Sequence, residues 1–155
     1  MKFSENSLKW IMNFYPPILF QRIWVKKVHK NFRGIEIKIN RSFVTTNVSN
    51  STFGGTIFSA TDPFYALLFK GIMEQKGYEV AVWLKSAQIE YIKPAYKDLF
   101  YKITISEAMI EEAENAILSD GKFVKAFPIE LYNKEEQLCV HVMNEIYIRD
   151  VNFFK

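Results

Sequence analysis

The chain is poor in the residues that would tie it to an oxidising compartment, a metal or a membrane span. One cysteine, Cys139, among 155 residues leaves no internal disulfide to form, and a reducing, cytoplasmic setting is expected. Cys139 lies in the alternating run "EQLCVHVMNEIYI", which reads as a strand holding a buried structural thiol rather than a nucleophile. Only two histidines occur, His29 and His141; both fall in expected strands, as surface or satisfied core residues. No stretch approaches the roughly 18 apolar residues of a spanning helix. The opening "MKFSENSLKW" carries Glu5 and lacks the apolar centre of a secretory signal. The formal charge is only +3, with lysines interspersed among acids. That gives no basic block suited to nucleic acid or an anionic membrane, and neither partner is expected. The phosphate-binding patterns GxGxxG and GxxxxGK are missing too.

What is present is an ordinary globular balance, 49% hydrophobic and 24% charged. The length fits one domain, 1–155. Residues 4–15 place Leu8, Ile11, Met12 and Tyr15 at helical spacing, and Pro16-Pro17 ends that N-terminal helix. "RIWVKKVHKNF" and "RGIEIKIN" read as two strands. A Ser, Thr and Asn-rich loop follows over 43–53. Residues 54–77 form the longest helical candidate, apolar on nearly every side until Glu74, which implies burial all round. Strands follow at "EVAVWLKSAQIEYIKPA" and "LFYKITIS", then a short acidic helix with Ser106 as its cap and Gly121 after its end. "KFVKAFPIELYN" and "EQLCVHVMNEIYI" close the chain as a hairpin. Strands in runs around one segregated apolar helix argue for an α+β fold, an antiparallel sheet wrapped around that helix.

Two features of "NSTFGGTIFSATDPFYALLF" carry chemistry. Gly54-Gly55 open the apolar helix, where bare backbone N–H groups and the positive end of the helix dipole suit a carbonyl oxygen that becomes an oxyanion. Asp62 follows Gly55 by seven residues, a spacing that returns to nearly the same helix face about 10 Å further along. Its neighbours on that face are Phe58, Ser59, Tyr65, Ala66 and Phe69. Such surroundings raise a carboxyl pKa towards the range a general base needs. Asp before Pro is equally a helix start, with Asp62 as N-cap and Pro63 in the first turn. The cap requires residues 55–61 to be non-helical; the catalytic reading requires them helical with a kink at Pro63. The sequence leaves both open.

The segment "FGGTIFSATDPFYALLF" followed by "AQIEYIKPA" resembles the hotdog-fold thioesterases of the phenylacetyl-CoA (PaaI-like) group. Tyr15-Pro16-Pro17, Asn47, the run from Gly54 to Tyr65, Val82-Trp83 with Lys85, and the acidic helix at 106–122 place it nearest a branch of unknown function. The resemblance implies an acyl-CoA thioesterase with Asp62 as general base or nucleophile, the Gly55 N–H as oxyanion donor and Asn47 in the same site. Gly54, Phe58, Ser59 and Tyr65, with Lys85 and Lys93 towards the CoA phosphates, would bind substrate; Lys97 is a further candidate, and aromatics such as Trp83 would line the pocket. No metal or cofactor is implied beyond the CoA of the substrate. Because Gly55 and Asp62 lie too far apart to touch one carbonyl, the resemblance also implies a homodimer or dimer of dimers. Relatives often carry His at or just before the residue preceding the glycines, where Thr52 and Phe53 stand here. That departure favours an alternative, a non-catalytic hotdog module binding an acyl or aromatic ligand, and ranks a His-dependent dehydratase last.

Overall fold

Ser4 opens the first helix. Its hydroxyl accepts from the Ser7 N–H at 3.1 Å and caps α1, Glu5–Phe14. Pro16-Pro17 ends α1 and also begins a second short helix, α2 (Pro16–Leu19). A first-turn proline has no helical N–H to lose. The computed structural model describes residues 4–153.

Among the described residues six strands follow the expected order: β1 (Ile23–Val28), β2 (Gly34–Ile39), β3 (Val80–Tyr91), β4 (Leu99–Thr104), β5 (Lys122–Tyr132) and β6 (Leu138–Asp150). They form one antiparallel sheet in the order β1-β2-β4-β5-β6-β3. β1 is shorter than its sequence run suggests, because Asn31 and Phe32 take positive φ values of 56° and 55° and turn the chain. Helix α5 (Glu107–Asp120) is capped by Ser106 and ended by Gly121 at φ 69°, as read from the sequence.

The central helix comes in two pieces, α3 (Gly54–Thr61) and α4 (Pro63–Gln75). Phe64, Leu68, Phe69, Ile72 and Met73 of α4 are buried, and the helix packs on β2, β3 and β6. The alternating Ile35, Ile37 and Ile39 of β2 and Val140, Val142, Ile146 and Ile148 of β6 are buried with them. Burial all round does not hold along one stripe. Gly54, Gly55, Phe58, Ser59, Asp62 and Ala66 are half-buried or exposed, so one face of the helix stays open.

The two sheet edges differ. At β1 the buried Asn13 of α1 donates its Nδ2 to the Val25 carbonyl at 3.1 Å, and its Oδ1 accepts from the Val25 N–H at 2.8 Å. One side-chain amide thus stands in for a neighbouring strand and closes that edge. At the other edge β3 presents twelve residues, most of them exposed, and no strand among the described residues lies beyond it. Among the described residues no helix is long and apolar enough to cross a membrane.

Candidate functional site

Asp62 has helical angles, φ −57° and ψ −60°, and its N–H donates to the Phe58 carbonyl at 3.0 Å. Residues 54–61 are helical, and the Asp62 carboxylate caps nothing. The cap reading therefore fails: helix runs into Asp62 from the N-terminal side and bends there. Pro63 brings no N–H, so the ladder is interrupted. The loosened carbonyls are taken up by side chains from the sheet. The Tyr101 hydroxyl of β4 donates to the Ala60 carbonyl, and Asn144 Nδ2 of β6 donates to the Thr61 carbonyl at 2.8 Å. Both side chains are buried, which fixes the bend within the core.

The carboxylate itself is half-buried and has no hydrogen-bond or ion-pair partner among the described residues. Burial pushes its pKa above the ordinary carboxylate value. An unpaired acid raised this way is suited to taking a proton from water or to attacking a carbonyl carbon.

At the helix start, neither the Gly54 nor the Gly55 N–H finds an acceptor among the described residues; the first N–H groups engaged are those of Thr56 and Ile57, both to Phe53. These free donors point out at the positive end of the helix. A Cβ on Gly54 would lie 2.7 Å from the Tyr91 hydroxyl, which donates to the Gly54 carbonyl at 3.3 Å. Glycine at 54 thus leaves room for the close approach of a tyrosine from the end of β3. A Cβ on Gly55 would meet the exposed Phe53 ring.

Asn47, Gly54, Tyr91, Lys93 and Tyr96 line one cleft of about 420 Å³. Asn47 shapes the loop wall: its Oδ1 accepts from the Ser49 and Ser51 N–H groups at 3.0 and 3.1 Å, and its Nδ2 donates to Ser51 Oγ. Thr52, one of the positions where relatives place His, is buried and holds the loop to the segment after β3 through two bonds to the Ala95 carbonyl.

The sequence-derived residues thus fall into two neighbouring groups. Asn47, Gly54 and Lys93 share the cleft, while Gly55, Phe58, Ser59 and Asp62 share the open helix face. Ser59 Oγ donates to the Gly55 carbonyl at 2.9 Å. Two residues lie elsewhere. Tyr65 is buried, stacks on Phe127 at 5.1 Å and donates to the Pro128 carbonyl at 2.9 Å. It is core rather than pocket wall, and burial pushes its hydroxyl up to about 12. Lys85 sits on a bulge of β3 and pairs with Glu145 at 3.1 Å. Lys97 is paired with Glu135, whereas Lys93 has no ion-pair partner among the described residues. Trp83 stacks on Tyr147 at 4.4 Å, on the sheet face opposite the buried Ile146 and Ile148. His29 binds Glu36 at 2.9 Å, outside the site. Cys139 is buried, and burial pushes its thiol up, which fits the structural thiol expected.

Sequence reasoning missed Tyr91. The signal was the glycine pair, since a missing Cβ at a helix start marks something approaching closely.

The chain is similar over nearly its full length to solved structures of low identity. A probable thioesterase of unknown function from Pseudomonas aeruginosa shares 10% identity at a TM-score of 0.80, covering 97% of this chain and 98% of that one. A thioesterase from Haemophilus influenzae shares 11% at 0.70, covering 98% and 94%. The E. coli PaaI protein of the phenylacetic acid degradation operon shares 12% at 0.60, covering 96% and 97%. The fold is the hotdog fold, α+β with the antiparallel sheet around the central helix, as expected. No protein of curated function matches the chain by sequence. The family model described as a domain of unknown function (DUF4442) matches residues 5–148, and the chain belongs to that family.

Proposed function

We propose that the protein hydrolyses an acyl thioester, with acyl-CoA as the substrate class, at a site completed by a second copy of the chain. One observation carries the reading. The open face of the central helix bears an unbonded Gly55 N–H at its start and, about two turns on, the unpaired, partly desolvated carboxylate of Asp62. The thioesterases of the same fold support it.

In the step derived from these groups, Asp62 takes a proton from water and the hydroxide adds to the thioester carbonyl carbon. The developing oxyanion accepts from the Gly55 N–H. Collapse breaks the C–S bond, and the proton held by Asp62 returns to the departing thiolate, leaving a carboxylic acid and a free thiol. Asp62 acting first as nucleophile, through an acyl anhydride that water then cleaves, uses the same geometry. The exposed Lys93 lines the Asn47–Gly54 cleft and in this reading would meet a CoA phosphate.

A separation of about 10 Å keeps one chain's Gly55 and Asp62 from meeting on one carbonyl. An antiparallel helix from a second copy would set its Asp62 opposite this Gly55. The uncovered β3 edge and the open helix face supply the surfaces for that contact. Non-catalytic acyl binding is the second reading, favoured by Thr52 and Phe53 at the histidine positions and by the engagement of Asn47 in its own loop.

A panel of acyl-CoA thioesters, assayed with wild type and Asp62→Ala, tests the proposal. Hydrolysis by wild type reduced at least about 100-fold in the variant supports it. Ligand-dependent thermal stabilisation without turnover supports the binding module instead. Equal turnover by both proteins removes Asp62 from the chemistry.

A further inference from the structure

We propose that the N-terminal helical segment docks the protein on an anionic phospholipid surface. Helix α1 has two apolar faces. Leu8 and Met12 enter the core, whereas Trp10 and Phe14 lie together on the opposite face at 49% and 68% exposure, and Ile11, 45% exposed, flanks them beside a groove it shares with Leu8 and Met12. Trp10 and Phe14 stack with ring centroids 5.9 Å apart. Beyond them Tyr15 and Phe20 are exposed as well. A soluble surface rarely gathers so many large apolar side chains without a partner, and Trp and Tyr favour the headgroup level of a bilayer.

Cations lie beside the stripe. Lys9 Nζ lies 5.3 Å over the Trp10 ring, and Lys9, Trp10, Trp24 and Lys26 line one shallow cleft. Lys9, Arg22, Lys26, Lys27 and Lys30 have no acidic ion-pair partner among the described residues, whereas Lys70, Lys76, Lys85, Lys97 and Lys125 do. The charge is unevenly distributed along the chain. Residues 1–41 hold nine Lys and Arg against two Asp and Glu, and the rest of the chain holds eleven against fifteen. The mild total of +3 conceals this basic quarter.

Apolar side chains that insert, with unpaired cations beside them and a basic N-terminal quarter, match an anionic interface. A second copy meeting this surface through a two-fold axis would bring like charges together. RNA would use the cations but leave Ile11 and the self-stacked Trp10–Phe14 pair without a role. The inference stands whether or not the Asp62 site turns over a thioester.

Co-sedimentation of the full chain with phosphatidylcholine vesicles, with and without about 30 mol % phosphatidylglycerol, tests it. Binding is expected only to the anionic vesicles, with release at about 0.5 M salt. Trp10→Ser with Phe14→Ser, and separately Lys26→Glu with Lys27→Glu, should each weaken binding about tenfold or more. All four positions are exposed, and unchanged melting curves establish that the variants fold. The proposal is overturned if wild type stays in solution or binds neutral vesicles equally. It also fails if RNA displaces the vesicles while both variants bind them unchanged, or if Trp10→Ser with Phe14→Ser lowers the oligomeric state, which would place a second copy on this face.

Discussion

The Asp62 N–H donates to the Phe58 carbonyl at 3.0 Å, and that bond makes Asp62 the end of one helix rather than merely the cap of the next. A carboxylate in an N-cap accepts from the helix that follows it. This one is left free on the open face, held where the Tyr101–Ala60 and Asn144–Thr61 bonds fix the bend.

The pH dependence follows from burial. Unfolded, Asp62 has the ordinary carboxyl pKa of about 3.9; folded, its pKa is raised by desolvation. Between those two values the folded state binds more protons, so stability falls as pH rises through the window, and ionised Asp62 is destabilising at neutral pH. Asp62→Asn should therefore raise Tm at pH 7 by about 1–2 °C, a modest gain because the group keeps partial solvent access. The gain should vanish near pH 3, where both forms are neutral. Thioester hydrolysis by wild type should fade as pH falls through the raised pKa, and the Asn variant should lack it throughout. Melting curves at pH 7 and pH 3 read the first effect; a lower Tm for Asp62→Asn at pH 7 would contradict the desolvation account.

Shared sites predict complementation. Asp62→Ala retains a competent Gly55, and Gly55→Pro, which removes the N–H, retains a competent Asp62. Each variant alone should be inactive. Refolded together in equal amounts, half the dimers are mixed and each carries one intact site. About one quarter of wild-type specific activity should return. If no activity returns although mixed dimers form, the acid and the oxyanion donor do not come from different chains.

Much of this architecture was legible in the residues, and the exceptions have physical causes. Strand alternation such as Ile35, Ile37, Ile39 and the Ser106 cap with Gly121 are local signals, and the structure follows them. The face of the central helix was misread as buried because Phe58, Ala66 and the glycines look apolar in sequence; periodicity reports hydrophobicity and cannot say what covers it. Tyr65 was drawn to the site as a neighbour of Asp62 on one helix face, and Lys85 as a lysine near a strand end. Tyr65 instead finds the Pro128 carbonyl of β5 and Lys85 finds Glu145 of β6, long-range partners that no spacing announces. Tyr91 was missed for the same reason, 37 residues from the Gly54 carbonyl it binds.

Asn13 should be among the most sensitive polar residues outside the site. Its amide satisfies both backbone groups of Val25 on an otherwise open edge. Asn13→Ala leaves a buried donor and acceptor unpaired, a loss of about 2–4 kcal/mol, or a fall in Tm of about 5–12 °C. Asn13→Asp keeps the acceptor for the Val25 N–H but sets an oxygen against the Val25 carbonyl, and should do no better. Thermal melts of the two variants, with amide exchange at Val25, decide whether the surrogate-strand role is real; a Tm within about 1 °C of wild type would reject it.

Two glycines on the central helix should respond in opposite ways to the same added methyl group. At Gly71 a Cβ would lie 2.6 Å from the Phe32 ring. That ring is buried on a residue already at φ 55°, so it cannot retreat. Gly71→Ala should cost about 1–3 kcal/mol and lower Tm by several degrees, outweighing the gain in helix propensity. At Gly54 the obstacle is the Tyr91 hydroxyl, 2.7 Å away at the tip of a side chain that is 57% exposed. Tyr91 can swing aside into the cleft, so Gly54→Ala should leave Tm within about 2 °C of wild type while raising KM for the thioester. Adding Tyr91→Ala to Gly54→Ala should recover part of that KM. Equal losses of Tm at the two positions would mean that Tyr91 is packed as firmly as Phe32 and that the cleft beside Gly54 has no room to adapt.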